Sequence, residues 1–211
     1  MSLQEFQRAV ADFIASPERC VRAIVDFAAE TTDFDLTERE RRRLKAMVND
    51  QRMSANCTLF RVNRLVPIFE VLPLTWRHLG TAADKALHEF WRQHPDPVVQ
   101  FGEEANRFGA WLEDQLAAGV LPPGPAFDAL HFELAAFDLA VTAEAPTPGS
   151  ATATQRRVVR FDYDHLAVLR PASTSVALCP LTEPCWILLE LNDRGLCVSR
   201  IHCESVIAAG T

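Results

Sequence analysis

The stretch Asn56-Cys57-Thr58-Leu59-Phe60-Arg61-Val62-Asn63-Arg64-Leu65-Val66-Pro67-Ile68-Phe69-Glu70-Val71-Leu72 limits the possible folds more than any other. Wound as one long α-helix it is apolar over most of its circumference, and such a helix belongs inside a helical domain. Asn56, Asn63 and Glu70 recur at heptad spacing and make one polar stripe along the rod. Buried polar groups find partners, so the stripe is either bonded within the fold or turned toward another molecule. The expectation is that it braces the helical body. Pro67 lacks a backbone donor and predicts a kink or a restart.

Helix-start signals surround this stretch. Ser2-x-x-Glu5 reads as a capping box, with Leu3, Phe6, Val10, Phe13 and Ile14 on the face behind it. Ser16-Pro17 places a cap before proline at the first helical position. The face that follows is Cys20 or Val21, then Ile24, Val25 and Ala28. Thr37-x-x-Glu40 is a second capping box and opens a helix bearing Arg39, Arg41, Arg42, Arg43 and Lys45. Leu44, Met47 and Val48 back that basic run, and Glu38 and Glu40 interrupt it, so it reads as a solvated helix face.

After the long helix, Leu74–Leu79 ends at Gly80, and Thr81 caps a helix that turns Ala86, Leu87, Phe90 and Trp91 inward. Pro95 and Pro97 break the chain. A helix over 98–118 buries Val99, Phe101, Phe108, Trp111, Leu112 and Leu116. The last helix, 126–141, carries Phe127, Leu130, Leu134, Phe137 and Val141 in steps of three and four.

From 142 to 154 the composition shifts to Ala, Thr, Pro, Gly and Ser, a linker. Beyond it the apolar period changes to two. Strands are predicted over 159–163, 165–170, 175–179, 185–191 and 196–201, with Asn192-Asp193-Arg194-Gly195 as a hairpin turn. The fold class is therefore α+β: a multi-helix domain over 1–141, the linker, and a small, mainly antiparallel β domain over 155–211.

Charge narrows the function classes. Residues 1–64 carry 11 Lys/Arg against 10 Asp/Glu, residues 65–154 carry 4 against 12, and residues 155–211 carry 6 against 6. A surface that tracks nucleic-acid phosphates needs a basic footprint, and the middle segment has the opposite sign. No run reaches the apolar length of a membrane span, and the N-terminal residues lack the pattern of an export signal. A cytoplasmic location is expected, without a membrane partner.

The chain carries none of the nucleotide-loop, metalloprotease or nucleophile-elbow motifs. His78, His88, His94, His131, His165 and His202 are scattered, and His131 and Glu133, two apart on a helix, point to different sides. Cys179, Cys185, Cys197 and Cys203 lack the tight knuckle spacing of a structural zinc site. With Cys20 and Cys57 they read as free thiols. Neither a catalytic residue nor a metal ligand is expected in this chain.

Over Leu65–Leu139 the residues follow a known order. Phe69 precedes Leu72-Pro73-Leu74, then come Leu79-Gly80, Phe90 before His94-Pro95, Gly102, and Phe108 with Trp111-Leu112. Leu130 stands ahead of Phe132-Glu133-Leu134-Ala135. This resembles the helical domain of a bacterial family filed under a DNA-binding label. Its members are typically encoded beside a TIM-barrel protein related to xylose isomerases. The layout of helical domain and then sheet is similar to one branch, the MbnC-like partner subunits of methanobactin biosynthesis, which makes a copper chelator.

The resemblance implies a heterodimer. Its barrel subunit (MbnB-like) holds iron and, with O2, converts a cysteine of a ribosomal precursor peptide into an oxazolone–thioamide pair. This chain would dock on the barrel, hold no cofactor of its own, and help bind the leader peptide. A small terminal sheet leaves an edge strand that can accept an extended peptide. Val176, Leu178, Trp186, Ile187, Leu188 and Leu189 are the expected edge and pocket residues. The alternative is a DNA-binding regulator working through Arg39–Lys45.

Overall fold

The computed structural model describes residues 3–96, 101–144, 155–170, 178–192 and 195–201. The architecture is α+β, helices followed by a three-stranded antiparallel sheet, as the change of period predicts. By internal contacts the chain divides into two compact units. One is Met1–Pro67 with Glu89–Gln100, and the other is Ile68–His88 with Phe101–Thr211.

The first unit contains α1 (Leu3–Ala15), α2 (Pro17–Val25), α3 (Glu38–Val48) and most of α4 (Gln51–Val71). Its start signals work as read. The Ser16 hydroxyl accepts from Arg19 N at 3.4 Å, and Thr37 and Glu40 bond reciprocally as a capping box. Ser2 lies outside the described residues. Ala9, Phe13, Cys20, Phe34, Leu44, Val48, Met53 and Cys57 make the core. The Cys20 and Cys57 thiols both donate to Phe13 O, at 3.1 and 3.6 Å. Burial pushes the Cys20 thiol up to about 12, so it stays neutral and packs as a small hydrophobe.

Two helix faces differ from expectation. On α2 the inward residues are Cys20 and Ala23, while Ile24, Val25 and Ala28 are exposed. The turn after α2 brings Phe27 and Phe34 onto the core, and the helix rotates to suit them. On α4 the buried face is Met53, Cys57, Arg64, Pro67 and Ile68. Asn56, Asn63 and Glu70 lie in solvent, so the expected internal brace is corrected. Asn56 and Asn63 directly precede the buried Cys57 and Arg64, and that one-residue step of about 100° turns the polar stripe off the buried face. The helix runs through Pro67 without a restart.

Arg64 is the polar residue that α4 does bury. It donates to His94 O at 2.8 Å and Pro95 O at 3.3 Å, and it faces the Phe60, Phe90 and Trp91 rings at 5.6–5.9 Å. The carbonyls it satisfies are those at the end of α6 (Ala83–Gln93), where the prolines stop the helix.

The second unit is organised around α8 (Pro125–Glu144). Ala129, Phe132, Ala135 and Leu139 pack on β1 (Gln155–Tyr163) and β2 (Pro180–Asn192) through Val159, Phe161, Ile187 and Leu189. On another side α8 meets α7 (Phe101–Ala117). That approach needs glycine: a Cβ at Gly109 would meet Leu134 Cδ1 at 2.9 Å, and one at Gly102 would enter the Phe137 ring. α5 (Pro73–Leu79) also packs on α8 and is closed by Gly80 at φ 53°. Thr81 sits in a 3-10 turn that leads directly into α6.

The strand expected over 165–170 is instead a short helix, α9 (His165–Leu169). Asp164 caps it, accepting from Leu166 N at 3.2 Å, and its alternating pattern serves to bury Val168. Of the strand expected over 175–179, residues 175–177 lie outside the described residues, while Leu178 and Cys179 precede β2 without strand pairing. The linker expected from 142 begins within α8, and 145–154 lies outside the described residues.

Candidate functional site

The sheet order is β1-β2-β3, where β3 is Gly195–Ile201. β2 is therefore the central strand. Arg160, Val158 and Arg156 of β1 pair with Trp186, Leu188 and Glu190, and Ile201, Ser199 and Cys197 of β3 pair with the same three from the other side. Backbone pairing with a peptide is closed to Trp186–Leu189, and the expected edge there is corrected.

The side chains of that stretch divide by face. Ile187 and Leu189 are fully buried against α8. Trp186 and Leu188, half-buried, lie on the opposite face. Leu178 is half-buried and packs against the sheet–α8 core, and Val176 lies outside the described residues.

The sheet's two edge strands are β1 and β3, and the more exposed of them is β3. Among the described residues no strand pairs with its outer side, and five of its seven residues are exposed. Leu196 and Val198 stand opposite Leu191 and Leu189, so they are on the α8 side of the sheet. α8 packs over β1 and β2, and leaves Leu196 and Val198 41% and 45% exposed. β3 thus combines unpaired backbone groups with an uncovered apolar shelf, the two elements that strand addition uses. Periodicity located this strand, but only the strand order identifies it as an edge.

A second feature is an open cleft of about 460 Å³ between the end of α4, α5, the start of α7 and α8. Leu74, Phe101, Phe132 and Phe137 supply apolar walls, with Glu70 and Glu133 also lining it. Phe101, expected inside, is 53% exposed at the lip. Its neighbour Gly102 rests on the Phe137 ring.

Glu133 fixes the opposite wall. It is almost fully buried, and it accepts from Leu74 N at 2.6 Å, Thr75 N at 2.9 Å and the Thr75 hydroxyl at 2.7 Å. A carboxylate from α8 thus caps the first turn of α5, where Pro73 has no donor to offer. Burial pushes its carboxyl above the ordinary range, and those three bonds pull part of the way back. Asp128, one helix turn and a residue earlier, is also raised by burial and accepts from Tyr163 N at 2.8 Å. Sequence pattern reveals neither role, because the donors they satisfy are far away in the chain.

The histidines stay apart among the described residues. His131 meets Glu113 at 3.1 Å on the surface while Glu133 points inward, as their spacing predicts. His78 bonds Val168 O, and His165 lies 3.8 Å from the Cys185 sulfur. Cys185 is buried, Cys179 and Cys197 are exposed, and all three are free thiols. Cys203 and His202 lie outside the described residues.

The basic run of α3 is divided. Arg41 turns inward to Leu36 O, Thr31 Oγ1 and Phe34 O at 3.1–3.3 Å, and Arg43 lies over the Phe6 ring. Arg39, Arg42, Arg43 and Lys45 are exposed. Among the described residues no helix is long and apolar enough to cross a membrane. Compared with protein-family models, curated proteins and solved structures, the chain matches none.

Proposed function

We propose that the chain is a non-catalytic, cytoplasmic partner subunit of an iron-dependent TIM-barrel oxygenase that modifies cysteine in a ribosomal precursor peptide. The chemistry would be oxazolone and thioamide formation of the methanobactin type. The role of this chain is to hold the leader peptide on its sheet while the barrel, which carries the iron, acts on the core of the peptide. The observation that carries this reading is the open edge of β3 with Leu196 and Val198 exposed beside it. The resemblance over Leu65–Leu139 supplies the identity of the partner.

Strand addition explains how an acidic, helix-rich body could bind a leader of varied sequence. Main-chain hydrogen bonds to β3 give affinity, and alternate side chains resting near Leu196 and Val198 give register. Trp186 and Leu188 act from the opposite face of the sheet, and Ile187, Leu189 and Leu178 support the strand from within the core.

Co-expression with the barrel protein encoded alongside tests the reading. The two should co-purify, and modification of the precursor should require both. Two proteins that do not co-purify, with a barrel equally active alone, would contradict it. Leu196→Asp with Val198→Asp should weaken leader binding at least about tenfold while leaving the barrel complex intact, since these side chains are exposed.

The alternative, a DNA-binding regulator, has Arg39, Arg42, Arg43 and Lys45 as its exposed cations on α3. A mobility shift at physiological salt, abolished by alanine at those four positions, would favour it.

A further inference from the structure

We propose that the cleft beside α5 is a docking site for a basic protein segment that inserts a bulky apolar side chain flanked by lysine or arginine. The site is separate from the β3 edge, and the proposal does not depend on the leader-binding role.

The lining names the occupant. Leu74, Phe101, Phe132 and Phe137 present hydrocarbon and ring faces around an open cleft of about 460 Å³, room for a side chain laid in from the surface. The polar side chains in the lining are Glu70 and Glu133. Both Glu133 oxygens already hold the first turn of α5. Glu70 is exposed at the lip and has no ion-pair partner among the described residues. An apolar group fits the interior, and a cation attached to it meets Glu70.

Charge around the cleft selects the same ligand. Glu70 is the exposed charged side chain of the lining, and among the described residues no basic side chain lines the cleft. Arg77, on the α5 wall, is turned to Val168 O and Arg170 O at 3.2 and 2.9 Å. An anionic ligand would meet Glu70 at the lip, whereas a cationic segment is attracted and oriented by it. The walls are also fixed in advance. Glu133 holds α5, and the contact of Gly102 with the Phe137 ring sets the start of α7 on α8. A preformed apolar seat with a charged lip takes a side-chain anchor at a low ordering cost.

Fluorescence anisotropy of the full chain with two labelled short peptides tests this. One has Leu-Phe-Leu flanked by lysines, and the other has glutamates in place of the lysines. The lysine peptide should bind at least about tenfold tighter at low salt, with the gap narrowing as salt rises. Ala136→Trp, which fills the cleft, should abolish binding. Glu70→Lys, a change at an exposed position, should remove or reverse the preference while the far-UV circular dichroism stays unchanged, so the test stands even if Ala136→Trp does not fold. Binding of neither peptide, equal binding of both, or a preference that survives Glu70→Lys would overturn the proposal.

Discussion

In the unit formed by Met1–Pro67 and Glu89–Gln100, the charge buried deepest is a guanidinium, Arg64, and it holds backbone carbonyls. In the unit formed by Ile68–His88 and Phe101–Thr211, the buried Glu133 and Asp128 carboxylates hold backbone N–H groups. Arg19 bonds Glu30 O at 2.6 Å, Arg41 bonds Phe34 O and Leu36 O, and Arg64 bonds His94 O and Pro95 O. On the other side Glu133 takes two N–H groups of α5, and Asp128 takes Tyr163 N. Both devices satisfy chain ends that secondary structure leaves open.

The contrast teaches how to read the charges. Residues 1–64 look evenly balanced, at 11 basic against 10 acidic, and the basic ones invite a nucleic-acid reading. Arg19 also lies over the Phe13 and Phe34 rings, Arg8 over Phe34, Arg22 pairs with Glu30, and Arg61 with Glu18. Arg19, Arg41, Arg61 and Arg64 are drawn into the fold, and Arg8 and Arg22 are paired at the surface. The positive charge open to phosphates is smaller than the count suggests.

Removing each device probes the contrast, and the largest effect belongs to the carboxylate. Glu133→Ala leaves two N–H groups and a hydroxyl without partners in a buried site, at about 3 kcal/mol or more by chemical denaturation. A loss below about 1 kcal/mol would show that water reaches α5 and that the cap is dispensable.

Arg64→Ala should cost about 2–3 kcal/mol, through two lost charge-assisted bonds and the packing of three rings. Arg64→Lys should recover only part of it, since one ammonium cannot reproduce the planar contact with those rings. Full recovery would mean that charge alone matters there.

Gly102→Ala should cost about 1–2 kcal/mol, because the added methyl must displace the Phe137 ring from its place under α7. The same variant should disturb the cleft, which links the packing prediction to the binding one.

Acid should separate the two units. Burial holds the Asp128 and Glu133 carboxyls above their ordinary values of 3.8 and 4.5. A folded pKa above the unfolded one means that protonation favours the fold, so their contribution is full below those values and declines as pH rises through the folded ones. Glu30 and Asp33 are held low, first by hydrogen bonds from Arg22 and Arg19, so their contribution is full above about 4.5 and is lost as pH falls through the folded values. As pH falls from neutral to below about 4, protection of α2 amides should fall relative to α5 amides in hydrogen exchange. Equal loss in both would break the comparison. Asn63→Ala, on the exposed side of α4, should change stability by less than about 0.5 kcal/mol.

Much of the fold is legible in the chain because its signals are local. The Thr37–Glu40 box, the Ser16-Pro17 start, the Gly80 stop and the period change after 154 each depend on a few adjacent residues. Rotation and order are another matter. The polar stripe of α4 is real, yet sequence cannot tell which side of a mostly apolar helix meets the core when Arg64 is the residue that turns inward. Alternation at 165–170 fits a strand equally well, until Asp164 caps the turn. The candidate site was the least legible part. Trp186–Leu189 is the most strongly β-like stretch, and for that reason it forms the central strand, while the more exposed β3 lies outside it.

The most direct test of the leader-binding role is backbone hydrogen exchange of this chain, alone and with the precursor peptide encoded beside it. Amides of Gly195–Ile201 should gain protection on adding the peptide, while those of Trp186–Leu191, already paired on both sides, should change little. Peptide binding that leaves Gly195–Ile201 unprotected would contradict strand addition at β3 and remove the observation on which the proposed function rests.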